Sequence, residues 1–175
     1  MALLSAVLLA STYVLNPFGA QGLDPRARIL GLAPFRVSSN SMAPALQPGQ
    51  YVIARAGCYR RRPPARGDVV VYRPLHVDQP WIGRVIALEG ETAEIVDGVL
   101  RIDDQPLAEP YVAPGNLRQR WSRRMPAQSI GAGQVLLFGD NRDNSDDGRV
   151  RGPLPAARVI GCLIGDFGPG PAAMQ

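Results

Sequence analysis

From residue 50 onward, no apolar pattern at the helical period lasts for even three turns. The chain reads instead as short β runs broken by turn residues. A body built this way closes its core as sheets, so the expected fold class is mostly β and antiparallel. The runs are Gln50–Ala54, Asp68–Arg73, Pro80–Leu88, Thr92–Val96, Val99–Ile102, Gln134–Phe138 and Arg158–Ile164. The sharpest turn is Asp97-Gly98 between Ala93-Glu94-Ile95-Val96 and Val99-Leu100-Arg101-Ile102, because Asp-Gly adopts the φ > 0 conformations that match strand twist. Ala108 to Gln128 is rich in Pro, Gly, Asn and Arg and is expected to be an irregular excursion between strands.

Ahead of this body, Ala2 to Leu15 is almost wholly apolar and no charge precedes Asp24. A transmembrane helix needs about 20 apolar residues. This run meets Asn16-Pro17 first, so a span has to take in Phe18, Gly19 and Ala20. The stretch reads as a membrane anchor, with a cleavable signal-like segment or a core helix as alternatives. As an anchor, residues 2 to 20 should be helical, apolar all round and directed away from the body. Arg26 and Arg28 on its C-terminal flank would, by the positive-inside rule, put the body in the cytoplasm. The expected organisation is an apolar segment over 1–22, a β domain over 34–165 and a tail over 166–175.

Composition narrows the chemistry. All 19 Lys+Arg positions are arginine, which excludes a P-loop lysine, a Schiff base and a Ser–Lys dyad. The one histidine, His76, and the two cysteines, Cys58 and Cys162, cannot assemble a clustered zinc site, so neither metal nor cofactor is expected. The cysteines read as free thiols, with a single long-range disulfide as the alternative. The formal charge of +4 concentrates in Arg60-Arg61-Arg62 and in Arg118, Arg120, Arg123 and Arg124 around Trp121. These read as solvated faces first and lipid-headgroup contacts second; nucleic acid is not an expected partner.

Two segments are too polar and tightly spaced to be core. Val37-Ser38-Ser39-Asn40-Ser41-Met42-Ala43-Pro44 places hydroxyls and backbone amides at a turn, where a nucleophile can sit beside oxyanion donors; an ordinary Ser-rich loop is the plainer alternative. Phe138-Gly139-Asp140-Asn141-Arg142-Asp143-Asn144-Ser145-Asp146-Asp147-Gly148-Arg149 carries carboxylates like a calcium loop. However, it lacks the closing Glu and contains Arg142 and Arg149, so it reads as an Asp–Arg network.

Together these segments resemble the type I signal peptidase family, membrane-bound serine endopeptidases that remove leader peptides from exported proteins. Phe35 to Gly49 resembles the nucleophile segment, Arg66 to Tyr72 the following strand, Trp81 to Glu91 the strand carrying the general base, and Gly139 to Gly152 the Gly-Asp-Asn signature. The resemblance covers residues 34 to 165. It implies a signal-peptidase-type β domain held at the cytoplasmic membrane and facing its outer or periplasmic side, with leader peptides and the bilayer as partners. Ser41 would be the nucleophile, its own amide and the Ser39 hydroxyl would serve the oxyanion, and Phe35, Met42, Leu46 and Ile82 would line pockets for small residues. Ser145 would hydrogen-bond the general base, and Arg84, Asp140, Asn141, Asp147 and Arg149 would form the supporting network, with Asp147 and Arg149 as an ion pair.

The resemblance breaks at one position. The family has lysine, or in eukaryotic relatives histidine, immediately before the arginine of the third block, and this chain has Gly83 before Arg84. Arginine cannot replace the base, because guanidinium stays protonated. His76 lies seven residues before Gly83, about 23 Å if extended, and reads as a loop histidine. Three possibilities follow: an active peptidase with a base from elsewhere, such as a partner; a catalytically impaired pseudoenzyme that binds extended peptides or assists assembly; and an unrelated β-barrel binding module. A lysine introduced at Gly83 is expected to be desolvated among Met42 and Ile82, beside Ser41.

Overall fold

The structure, a computed structural model, describes residues 2–21, 23–165 and 172–173. Two antiparallel sheets form the body. The larger has seven strands in the order β1-β2-β11-β3-β4-β9-β10: β1 (Leu32–Arg36), β2 (Tyr51–Ala56), β11 (Val159–Ile164), β3 (Val69–Tyr72), β4 (Trp81–Ala87), β9 (Gln134–Phe138) and β10 (Leu154–Pro155). The smaller has five, β12-β7-β6-β5-β8: β12 (Ala172–Ala173), β7 (Gln105–Ala108), β6 (Val99–Ile102), β5 (Thr92–Val96) and β8 (Met125–Ser129). Asp97 and Gly98, both at positive φ, close the β5–β6 hairpin in the register Val96↔Val99.

The sheets are welded by one apolar cluster. Ile86 of β4 and Leu136 and Phe138 of β9 pack with Ile95, Leu100, Ile102 and Tyr111 from the smaller sheet's side. A second cluster, Val37, Met42, Leu46, Val52, Val69 and Val71, seals one face of the larger sheet; Val70, Tyr72, Val85, Val135 and Leu137 form a third on its other face. Alternation along β3 and β4 produces this split: Val71 and Ile82 belong with the second cluster, Val70, Tyr72 and Val85 with the third.

Several elements escape the strand reading. β1 carries Pro34 and β8 carries Pro126, and both are edge strands, where a missing N–H breaks no ladder bond. Short β7 carries Pro106. The supposed excursion over 108–128 contains a 3₁₀ turn at Pro114–Asn116, the helix Arg120–Arg123 and the first residues of β8.

The N-terminal helix, α1 (Ala2–Leu15), stops five residues short of the expected Ala20. Asn16 turns to φ 46°, its side chain bonds both the Ala20 N–H (2.8 Å) and the Ala20 carbonyl (3.1 Å), and Pro17 follows. Among the described residues no helix is long and apolar enough to cross a membrane, which corrects the expectation of a spanning anchor within them. Nor does α1 stand entirely free. Its end is tied to a short helix, α2 (Pro25–Leu30), by Arg28, which donates to the Tyr13 carbonyl at 3.0 Å and lies 4.7 Å over the Tyr13 ring. Arg60 reaches back to the Pro17 carbonyl.

Candidate active site

Between β1, the Ser-rich turn and the start of β4 lies a cleft of about 330 Å³. Phe35, Ser39, Ser41, Met42, Ile82 and Ser145 line it, and Tyr72 and Asp147 stand in its wall. The turn is fixed from both sides. Met42 and Leu46 are buried in the second cluster, the Leu46 N–H bonds the Met42 carbonyl at 3.0 Å, and the Asn141 N–H bonds the Ser41 carbonyl at 2.9 Å. Leu46 is entirely core and is not among the residues lining the cleft, which corrects its expected place in a substrate pocket. The exposed serines result from this burial: with Met42 held inward, the preceding Ser41 is turned outward.

Ser41 Oγ and Ser39 Oγ are 3.0 Å apart, and the Ser41 N–H points to Ser39 Oγ at 3.4 Å. The expected oxyanion donors therefore satisfy one another in this state. Across the cleft, Gly139 permits a close approach: a Cβ there would lie 2.2 Å from Ser145 Oγ and 2.5 Å from the Ser41 carbonyl oxygen. Only glycine lets the Ser41 turn and Ser145 meet over this backbone.

The Gly139 position is braced by charge. Asp147 Oδ2 accepts the Gly139 N–H at 2.9 Å, and Arg149 grips both oxygens of Asp147 at 2.8 and 2.9 Å. Arg149 also donates to the carbonyls of Arg142 (2.6 Å) and Ser145 (3.3 Å). Asp140 is bound in a two-pronged contact by Arg84 at 2.9 and 2.8 Å, both side chains being 1% exposed. Burial pushes the Asp140 carboxyl up from its ordinary range, and the Arg84 hydrogen bonds oppose that rise. Arg84 further donates to the Gly67 carbonyl and lies 4.1 Å over the Tyr111 ring.

Arg142 belongs to the expected Asp–Arg network, whereas its partner Glu109 and the cleft residue Tyr72 carry no site signal in the sequence. Arg142 is buried over the Phe138 ring, donates to the Gly139 carbonyl at 3.0 Å and pairs with Glu109, which lies 33 positions away in a Pro-flanked loop. Asp146, also in the cleft wall, is held below the ordinary carboxylate range by its hydrogen bonds from Arg151. Tyr72 was read only as a strand residue. Its ring stacks edge-on with Trp81 at 6.4 Å, and burial pushes its phenol well up, so it stays protonated at neutral pH.

Gly83 pairs with Val70 across β3 and β4. A Cβ there would lie 3.1 Å from Tyr72 Cε1, 3.4 Å from the Phe138 carbonyl oxygen and 3.6 Å from Leu137 Cβ. The environment of a side chain at 83 is thus Tyr72 and Leu137, not Met42 and Ile82, because strand alternation turns Ile82 to the opposite face. Position 83 and Ser41 approach the same Phe138–Gly139 segment. His76 sits in the loop after β3 and lines a neighbouring cavity of about 40 Å³ whose wall includes Tyr72 and Asp147. Cys58 and Cys162 are free, the Cys162 N–H lying 2.9 Å from Cys58 Sγ, outside the cleft.

Comparison with known proteins converges on one family. Residues 7–164 match the family described as signal peptidase, peptidase S26. The chain is similar to a probable signal peptidase I-1 of Synechocystis sp., 35% identical over 144 residues that cover 78% of this chain and 71% of that protein. It is 33% identical to a signal peptidase I of Leptolyngbya laminosa, covering 76% and 67%. Among solved structures, a signal peptidase I from Enterococcus faecalis V583 aligns with TM-score 0.50 and 28% identity, covering 57% of this chain and 96% of that one.

Proposed function

The chain belongs to the signal peptidase S26 family, and from that premise we propose that it removes leader peptides from exported proteins, with Ser41 as nucleophile. The observation that carries this reading is the Ser41–Ser39 hydroxyl pair at 3.0 Å, facing an open cleft and held against Gly139 by the Asp147–Arg149 brace. An extended leader segment enters with a small side chain against Phe35, Met42 and Ile82, which line the cleft beside Ser41.

Ser41 Oγ then attacks the scissile carbonyl carbon. The developing oxyanion takes over the Ser41 N–H and the Ser39 hydroxyl, which exchange their mutual contact for it. Collapse expels the amine of the mature protein, which leaves with a proton, and water hydrolyses the acyl-serine. The proton lost by Ser41 has no lysine to receive it, so a base from the solvent or from a partner takes that role. Positioned proton transfer contributes about 10²–10⁴-fold, so turnover by the isolated chain is slow. The working place is the outer face of the cytoplasmic membrane. The apolar, exposed α1 at the edge of the domain supports that placement, with Leu4 80% and Leu15 77% exposed.

Gly83 favours a second reading, in which the cleft binds extended peptides without cleaving them. Incubating an exported precursor with the purified full chain and with Ser41→Ala separates the two. Slow cleavage after a small residue, abolished in Ser41→Ala, is expected; binding of the precursor with equal, zero cleavage in both overturns the peptidase reading.

A further inference from the structure

A second, larger groove lies away from the Ser41 cleft. A groove of about 540 Å³ runs behind the loop that follows β2, floored by Leu88, Val135, Val159 and Ile160 and flanked by Tyr59. Its size falls within the range of about 300–1,000 Å³ typical of small-molecule sites. Its lining is mostly apolar, and it stays open to the outside.

Two features at its rim say what fills it. Gly19 and Gln21, the residues just after α1, form one edge. That helix has no polar stripe, and its Leu4, Val7, Leu8, Leu9, Val14 and Leu15 are exposed, so this end of the molecule is built to meet acyl chains. Arg60 forms another edge, followed by exposed Arg61 and Arg62. Arg62 is shared with Asp68 at 3.3 Å, but no acid pairs with Arg60 among the contacts of the described residues; its Nη1 holds the Pro17 carbonyl. Glu89, the carboxylate in the lining, accepts the Gly133 N–H at 2.8 Å. Apolar walls beneath a cationic rim, beside an apolar helix, match an amphiphile with one anionic head.

We infer that this groove seats one acyl chain of an anionic phospholipid of the surrounding bilayer, with the lipid phosphate on Arg60 and Arg61. Phosphate is the natural partner of guanidinium, whose planar fork contacts two oxygens at once. A bound lipid would fill the space between the segment after α1 and the sheet, fixing the domain's tilt over the membrane. The proposal does not depend on Ser41 chemistry.

The test is native mass spectrometry of the full chain in non-ionic detergent, titrated with phosphatidylglycerol and with phosphatidylcholine of the same chain length. One phosphatidylglycerol per chain is expected, bound at least about 10-fold more tightly than phosphatidylcholine. Ala157→Trp, which fills the groove from an exposed lining position, should weaken binding at least about 10-fold with the thermal midpoint unchanged. Arg61→Gln should shrink the preference for the anionic lipid while leaving the weaker binding of phosphatidylcholine in place. Equal affinity for the two lipids overturns the proposal, as does anionic-lipid binding untouched by Ala157→Trp, which would place the lipid on α1. A dimer that Ala157→Trp dissociates would assign the groove to a second copy and overturn it as well.

Discussion

The ring of Tyr72 stands directly against the open side of Gly83, with Cε1 3.1 Å from where a Cβ would be. At that distance any side chain at 83 requires the ring to yield by a few tenths of an ångström. Tyr72 packs in the third cluster and edge-on against Trp81, but it also borders the cleft, toward which its ring can yield. Gly83→Lys is therefore expected to fold and to raise precursor cleavage by about 10²-fold, the lower end of what a positioned base contributes. The double variant Gly83→Lys/Ser41→Ala should fall back to background. A folded Gly83→Lys without gain would mean that position 83 does not address Ser41.

Gly139→Ala should be far more damaging to activity than to folding. Its methyl group would lie 2.5 Å from the Ser41 carbonyl and 2.2 Å from Ser145 Oγ, so the nucleophile turn must move. Misplacement by about 1 Å costs about 10²-fold in rate, while overpacking costs about 1–3 kcal/mol in stability. Cleavage rates and thermal midpoints measured on the same preparation check both figures.

The Arg84–Asp140 pair predicts a third outcome. Removing one partner, as in Asp140→Ala, leaves a buried guanidinium uncompensated at a cost of about 3–5 kcal/mol. At about 2–4 °C per kcal/mol for a domain of this size, the thermal midpoint should drop by roughly 10 °C. The double variant Arg84→Met/Asp140→Leu should recover most of that loss, since no isolated charge remains. Equal losses in the single and double variants would show that packing around Arg84, including its stacking on Tyr111, matters more than the charges.

Cys58 gives a pH-dependent reading. Burial, with the Cys162 thiol as a second cause, pushes its pKa up to about 12. Only the thiolate reacts, so in the folded chain alkylation by iodoacetamide at pH 8 should be slower by at least about 10³-fold than for a free cysteine of pKa about 8.5. The rate should climb tenfold per pH unit up to about 12 while the fold holds. Rapid labelling of Cys58 in the native protein at pH 8 would contradict this burial.

The seven expected strands all exist, because alternation and turn residues such as Asp97-Gly98 act locally and need no partner to be legible. The serine turn and the loop from Gly139 to Arg149 were also visible in the chain, since polar residues so dense have no place in a core. The proline-bearing edge strands β1 and β8 were hidden, as edge pairing tolerates what local pattern forbids. So was Glu109, whose importance arises only when the fold carries it to Arg142.

What the sequence determined by itself was chemical inventory: no lysine, a single histidine, glycine before Arg84, and serines at a turn that cannot be buried. What tertiary structure decided was direction. It turned Leu46 into the core and Ser41 outward, set Tyr72 rather than Met42 beside position 83, and ended α1 at Asn16. It also opened a cationic, apolar groove behind β2. Residue identity fixes which groups exist, but the side of a strand they occupy depends on register and on which face finds a partner to exclude water. Both are set by long-range pairing that no short stretch of chain contains.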